Sequence, residues 1–125
     1  MKEIIETSSA PAAIGPYSQG VKVGNKIYTS GQLPINMSTG ELEVEIKAAT
    51  KASLDNCKAI LESRGAKMSD VFKTVVFLSD MNNFSQMNEV YETYFTGEAP
   101  ARSCVQVAKL PKEALVEIEV IAVVK

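Results

Sequence analysis

The alternation of apolar and polar residues near the N-terminus predicts a β-hairpin. Residues 20–23 and 27–33 are rich in β-branched and aromatic side chains, and the dipeptide Gly24-Asn25 separates them. Glycine and asparagine tolerate the positive φ angles of tight hairpin turns, so two antiparallel strands are expected here. The next residues, 36–44, predict a loop with at most a short strand.

A helical spacing of apolar residues follows. The positions that recur every three or four residues are Ile46, Ala49, Ser53, Leu54, Cys57, Ile60 and Leu61. This stripe is typical of the core-facing side of an amphipathic helix, and Gly65 is a residue type that commonly ends one. Because Cys57 lies on the stripe, we expect its thiol to be simple core packing.

The middle of the chain predicts a buried strand and a second helix. Residues 71–78, VFKTVVFL, are apolar on both alternating faces apart from Lys73 and Thr74, which is typical of a central strand covered on both sides. Asn83 and Gln86 resemble a capping box, so a helix is expected from there to about residue 95. Its expected core face is Phe84, Met87, Tyr91, Tyr94 and Phe95.

One polar residue, Asn88, falls on that apolar helix face. A buried amide is costly unless it is paired. Its partner could be nearby backbone or a bound ligand, and the spacing alone leaves both open.

Two strands are predicted at the C-terminus, at about 102–107 and 115–124. The connection between them, AKLPKEA, is too short for a parallel crossover, so they are expected to be antiparallel. Arg102, Cys104 and Gln106 would share one face of the first strand, while Glu117 and Glu119 share a face of the second. If the two strands pair directly, Arg102 should lie near Glu119 and Cys104 near Glu117.

These elements predict an α+β domain of two layers that spans residues 1–125. Two helices can cover only one face of the mixed sheet. The other face is apolar at many positions of 71–78 and 115–124, so we expect a second copy of the chain to cover it.

The composition of the chain excludes several kinds of catalytic and binding site. The 125 residues include no histidine and only two cysteines, which excludes a Ser-His-Asp triad and argues against a metal site. The net charge is −2 and neither sign of charge clusters in a block, so nucleic-acid binding is not expected. No apolar run could cross a bilayer and no secretion signal is evident, so a cytoplasmic, non-membrane protein is expected.

The C-terminal run PARSCVQVAKLPKEALVEIE, residues 100–119, resembles the signature of the reactive intermediate deaminase (RidA/YjgF) family. The resemblance extends along almost the whole chain. It includes APAAIGPYSQG at 10–20, TSGQ at 29–32, SLDN at 53–56, TVVFLSDM at 74–81 and NEVY at 88–91.

The resemblance implies a chorismate-mutase-like fold and a homotrimer whose sheets form a central β-barrel. It implies clefts between subunits that bind small 2-oxo or 2-imino acids without a cofactor or metal. Arg102 would clamp the substrate carboxylate, and Glu117 would be the acid-base residue. The pocket would be lined by Tyr17, Ser30, Gly31, Asn88 and Cys104, whereas Glu119 would be structural.

The implied reaction is hydrolysis of 2-iminobutanoate and 2-iminopropanoate, which are released by PLP-dependent dehydratases. A planar guanidinium can hold a carboxylate with two parallel hydrogen bonds, and one carboxyl group can serve as base and then as acid. A nucleophilic Cys104 is not expected, because no activating base accompanies it. Two alternatives stay open: a non-catalytic regulator that binds small carboxylates, and an RNA- or protein-interaction role such as translation inhibition or chaperone-like binding.

Overall fold

The computed structural model, which describes residues 1–125, contains a six-stranded mixed sheet and a separate two-stranded ribbon. The strands are β1 (Lys2–Ile5), β2 (Gly20–Val23), β3 (Lys26–Thr29), β4 (Ile35–Asn36), β5 (Glu41–Leu42), β6 (Val71–Leu78), β7 (Ala101–Gln106) and β8 (Val116–Val123). The main sheet has the order β1-β2-β3-β8-β6-β7, and β4 pairs with β5. The predicted hairpin is β2–β3, with Gly24 at φ +61° in its turn.

Two helices, α1 (Ile46–Glu62) and α2 (Phe84–Tyr94), supply the second layer. The buried face of α1 carries the predicted stripe, and Cys57 is completely buried in it. Met87 and Tyr91 are buried on α2, while Phe84, Tyr94 and Phe95 pack against the core from partly exposed positions. The predicted α+β class with two layers is confirmed.

The predicted capping box of α2 does not form. Asn83 does precede the helix, but its side chain makes no capping hydrogen bond. A 3₁₀ turn at Met81–Asn83 leads directly into the helix and leaves Asn83 at ψ 2°, not in the extended backbone of a typical N-cap. Asp80 caps this preceding turn instead, accepting a hydrogen bond from the Asn82 N–H at 2.9 Å.

The C-terminal strands run in opposite directions, as predicted, but they are not neighbours. Strand β7 pairs in parallel with β6, and β8 pairs antiparallel with the other side of β6. Each extended residue spans about 3.3 Å, so residues 107–115 easily cross the roughly 10 Å to the second strand over. A short link therefore fixed the direction of these strands without making them adjacent.

The sheet differs from the prediction at two places near the N-terminus. The four residues of β1 add an edge strand to β2, and residues 27–33 form a strand only as far as Thr29. Beyond it, the backbone of Gln32 exchanges two hydrogen bonds with that of Ile118 in β8, at 2.8 and 3.2 Å. This bridge holds residues 30–32 against the strand that carries Glu117.

The sheet face away from the helices is apolar and partly open to solvent in the single chain. Phe72, Val105, Tyr28 and Val123 are each about two-fifths exposed. In β6 the helix-facing residues are fully buried, whereas Val75 and Phe77 on the other face are only half-buried, so a single chain covers this strand on one side. Neither helix combines the length and the apolar character needed to cross a bilayer.

Candidate functional site

Arg102 is held against helix α2 at the edge of the sheet. Its Nη1 donates a hydrogen bond to Asn88 Oδ1 at 2.7 Å. Its guanidinium carbon lies 4.7 Å from the centre of the Tyr91 ring and 5.5 Å from that of Phe84. An amide and two aromatic faces thus fix the guanidinium of a half-buried arginine.

The three residues that hold Arg102 come from one face of α2. Positions 84, 88 and 91 follow the helical spacing of three and four, so their side chains point the same way. The polar residue noted on this apolar face, Asn88, is therefore paired with an arginine and not with backbone. A guanidinium has five N–H donors, and only the bond to Asn88 occupies one of them within the chain, so the others can bind a carboxylate.

Cys104 lies two residues after Arg102 on the same face of β7. Burial raises the pKa of its thiol, and the Arg102 charge lowers it by less. Cys104 is consequently a neutral thiol at physiological pH. The raised pKa of Cys104 argues against a nucleophilic thiolate at this position.

Glu117 lies in a different place, at a cleft of about 770 Å³ beside the start of β8. The cleft is lined by Tyr17, Ser30, Gly31, Gln32, Lys112 and Glu117. Three of the predicted pocket residues, Tyr17, Ser30 and Gly31, are thus brought together with the predicted acid-base residue. Ser30 is fixed in place because its hydroxyl donates to the Ser18 carbonyl oxygen.

Gly31 is required by the position of the Glu117 carboxyl group. A Cβ atom built on Gly31 would lie 2.7 Å from Glu117 Cδ and 3.0 Å from Cγ, so a side chain at position 31 would force the Glu117 carboxyl to move. The absence of a side chain at Gly31 lets the Glu117 carboxyl lie directly beside the backbone of that residue.

The protein environment of Glu117 stabilises the protonated form of its carboxyl group relative to the same group in water. Burial raises the pKa of Glu117, and the neighbouring charge of Glu119 raises it further. A carboxyl with a raised pKa is suited to accept and return a proton near neutral pH. Glu119, two residues along the same face, thereby influences the candidate acid-base group.

Arg102 and Glu117 lie on opposite faces of the sheet. Directly paired strand residues share a face: Arg102 pairs with Thr74, which is fully buried under the helices, whereas Glu117 pairs with Phe77 on the other face. The expectation that Arg102 and Cys104 share a surface with Glu119 and Glu117 is therefore wrong. Strand β6 lies between β7 and β8, and through Thr74 it aligns Arg102 with Val120, not with Glu119. This difference of one residue places Arg102 and Glu119 on opposite faces of the sheet, because successive side chains of a strand point to opposite faces.

The single chain thus carries two separate groups of candidate site residues. The arginine group consists of Arg102, Asn88 and Cys104, and the glutamate group of Glu117, Tyr17, Ser30 and Gly31. Sequence reasoning assigned Phe84 and Tyr91 only to the core, and it missed their contact with Arg102. Their common spacing with Asn88 was the available signal.

Comparison with known proteins identifies the family. The model of the family described as Endoribonuclease L-PSP matches residues 7–124. The chain belongs to the Endoribonuclease L-PSP family. The resemblance to reactive intermediate deaminases is confirmed as well, since a 2-iminobutanoate/2-iminopropanoate deaminase of Escherichia coli K12 is 53% identical over 98% of both chains.

Solved structures of Endoribonuclease L-PSP relatives share the fold closely. Escherichia coli TdcF, crystallised with bound serine, has a TM-score of 0.94 and 47% identity, covering 98% of this chain and 99% of its own. The YjgF gene product of Escherichia coli has a TM-score of 0.95 and 52% identity over the same shares. The fold of the single chain that the family resemblance predicted is thus confirmed.

Proposed function

We propose that this protein hydrolyses 2-imino acids, in particular 2-iminobutanoate and 2-iminopropanoate, to 2-oxo acids and ammonia. The observation that carries the proposal is the pair of groups described above: a fixed guanidinium with free donors and a carboxyl with a raised pKa. The 53% identical relative that is named as a deaminase of these two imines supports the same reaction. The serine in the TdcF structure supports a ligand with a carboxylate next to a nitrogen-bearing carbon.

The proposed reaction needs only groups that the chain supplies. Arg102 binds the substrate carboxylate through two parallel hydrogen bonds and so fixes the adjacent C=N carbon. The ionised Glu117 takes a proton from a water molecule as the water oxygen bonds to that carbon. The substrate enters as the protonated imine, so this attack gives a carbinolamine, and Glu117 then returns the proton to its nitrogen. As the C–N bond breaks and ammonia leaves, Glu117 takes the remaining hydroxyl proton, the C=O bond of the 2-oxo acid forms, and the proton passes from Glu117 to the released ammonia, which leaves Glu117 ionised again. No metal or cofactor takes part in these steps.

We further propose that the site is assembled between subunits of a homotrimer with a central β-barrel. Arg102 and Glu117 on opposite faces of one sheet cannot both reach a molecule as small as 2-iminobutanoate. A second copy can bring its arginine group to the glutamate group, and the open apolar face around Phe72, Val105 and Val123 is a suitable surface for that contact. In a closed ring of three subunits, every subunit makes this contact with its neighbour.

The proposed setting is the cytoplasm, where the chain would act as a single domain on imines released by PLP-dependent dehydratases. The two thiols, Cys57 and Cys104, are unpaired, which fits a reducing compartment. Functional dependence on a dehydratase requires no stable complex, because the imine itself connects the two enzymes.

A competition assay tests the proposed reaction. A PLP-dependent threonine dehydratase generates 2-iminobutanoate, semicarbazide traps it, and this protein is added at increasing concentration. We expect the semicarbazone to fall while 2-oxobutanoate rises, and we expect Arg102→Ala and Glu117→Gln to lose this effect. Arg64→Ala is the matched control, because Arg64 is exposed and its side chain donates a hydrogen bond only to the Ile4 carbonyl oxygen. Equal inactivity of wild type and variants, with retained binding of 2-oxobutanoate, would instead indicate a carboxylate-binding regulator.

A further inference from the structure

A buried pair of hydroxyl groups lies beneath Arg102. Thr74 Oγ1 and the Tyr91 hydroxyl oxygen are 2.8 Å apart, in hydrogen-bond contact. Thr74 is fully buried and Tyr91 is 7% exposed, both within a largely apolar core. Valine and phenylalanine would fill nearly the same volume without a polar group to satisfy, so filling the core does not explain the pair.

The position of the pair connects it to the arginine. Thr74 is the direct strand partner of Arg102, and the Tyr91 ring is the closer of the two rings that contact the guanidinium. The ring is held at its hydroxyl end by Thr74 and contacts Phe95, whose ring centre is 4.7 Å away. The aromatic surface under Arg102 is consequently fixed at two points.

Asn88 alone does not fix the direction of the guanidinium plane. A single hydrogen bond at Nη1 anchors one end of the group but leaves the planar fork free to rotate about that contact. A ring that cannot shift restricts this rotation, because the guanidinium lies over its face.

We propose that Thr74 and Tyr91 are positioning residues for Arg102, which keep its fork oriented for a substrate carboxylate before the substrate arrives. The proposal rests on the proposed role of Arg102 as the carboxylate clamp. Neither hydroxyl touches the substrate. Their effect is on binding, since a preoriented fork loses less rotational freedom when the carboxylate arrives.

The first test measures substrate-analogue affinity in four variants of the full-length protein. We expect Tyr91→Phe and Thr74→Val each to weaken 2-oxobutanoate binding about threefold to tenfold, the effect of losing one neutral hydrogen bond. The double variant should be no weaker than either single one, because both remove the same bond. Thr74→Ser keeps the hydroxyl and should restore wild-type affinity. In the deaminase assay the loss should fall on KM, with kcat little changed.

A second test measures the environment of the Arg102 side chain by NMR, and it requires neither a ligand nor enzymatic activity. The chain has only two arginines, so the Nε–Hε signals in a ¹⁵N NMR spectrum can be assigned with Arg64→Lys. We expect the Arg102 signal to shift and broaden in Tyr91→Phe and in Thr74→Val, and the Arg64 signal to stay unchanged. If the wild-type protein shows no deaminase activity, the proposed reaction fails, yet this measurement still tests the positioning.

One result would overturn the proposal. If Tyr91→Phe and Thr74→Val lower the melting temperature but leave both the Arg102 signal and the 2-oxobutanoate affinity as in wild type, the pair serves only core stability. Should Tyr91→Phe not fold, Thr74→Val decides the question alone, since valine keeps the β-branched shape of threonine and lacks only its hydroxyl group.

Discussion

Replacement of Arg102 by lysine separates the charge of the clamp from its geometry. Lysine keeps the positive charge but has a single ammonium group where arginine has a planar fork. It also cannot lie flat on Tyr91 while donating to Asn88 in the way that the guanidinium does. Activity should therefore fall although the charge of the protein is unchanged.

The expected size of the loss follows from the number of hydrogen bonds. A carboxylate held by the arginine fork receives two charge-assisted bonds, and lysine can replace about one of them. A hydrogen bond to a charged group contributes about 1.5–3 kcal/mol. This corresponds to a loss of about 10- to 150-fold in kcat/KM for Arg102→Lys.

The assay is the dehydratase-coupled competition with semicarbazide, measured at several imine concentrations. Arg64→Lys is the matched control, because it makes the same chemical change at the other arginine of the chain, on the exposed surface. Light scattering compares the assembly of both variants with that of wild type, and thermal unfolding compares their stability. A kcat/KM for Arg102→Lys within threefold of wild type would refute the bidentate clamp.

Two further predictions concern the glutamate group. Gly31→Ala should reduce kcat about 100-fold or more with the assembly intact, because the new Cβ displaces the Glu117 carboxyl by an ångström or so, and unaltered kinetics would show that its position is irrelevant. Glu119→Gln should move the acid limb of the kcat/KM profile to lower pH, since the Glu119 charge raises the pKa of Glu117 and its removal lets Glu117 stay ionised in more acidic solution. Glu98→Gln, in an exposed loop, should leave that limb in place, and a shift of Glu119→Gln to higher pH would contradict the electrostatic explanation.

Local patterns in the sequence were sufficient for most of the secondary structure. The stripe that ends at Leu61 predicted α1, and the VFKTVVFL run predicted β6 to the residue. The four-residue β1 was missed because so short a segment has no periodicity of its own. Its place in the sheet depends on pairing with β2.

The arrangement of the candidate site could not be predicted in the same way. Alternation correctly placed Arg102 with Cys104 on one face and Glu117 with Glu119 on another strand. The order of the strands is a property of the whole sheet. The link of residues 107–115 is long enough for β7 and β8 to be neighbours or to have one strand between them. Because β6 lies between them, Arg102 on β7 and Glu117 on β8 face opposite sides of the sheet and do not form one site within the chain.

The central claim, a site shared between subunits, is tested most directly by mixing two inactive variants. Arg102→Ala and Glu117→Gln are unfolded together in equal amounts, refolded, and assayed beside each variant refolded alone. If each site takes Arg102 from one subunit and Glu117 from its neighbour, random assembly restores about one quarter of the wild-type activity. If the mixture forms mixed assemblies and stays as inactive as its components, both residues act from the same subunit and the shared site is contradicted.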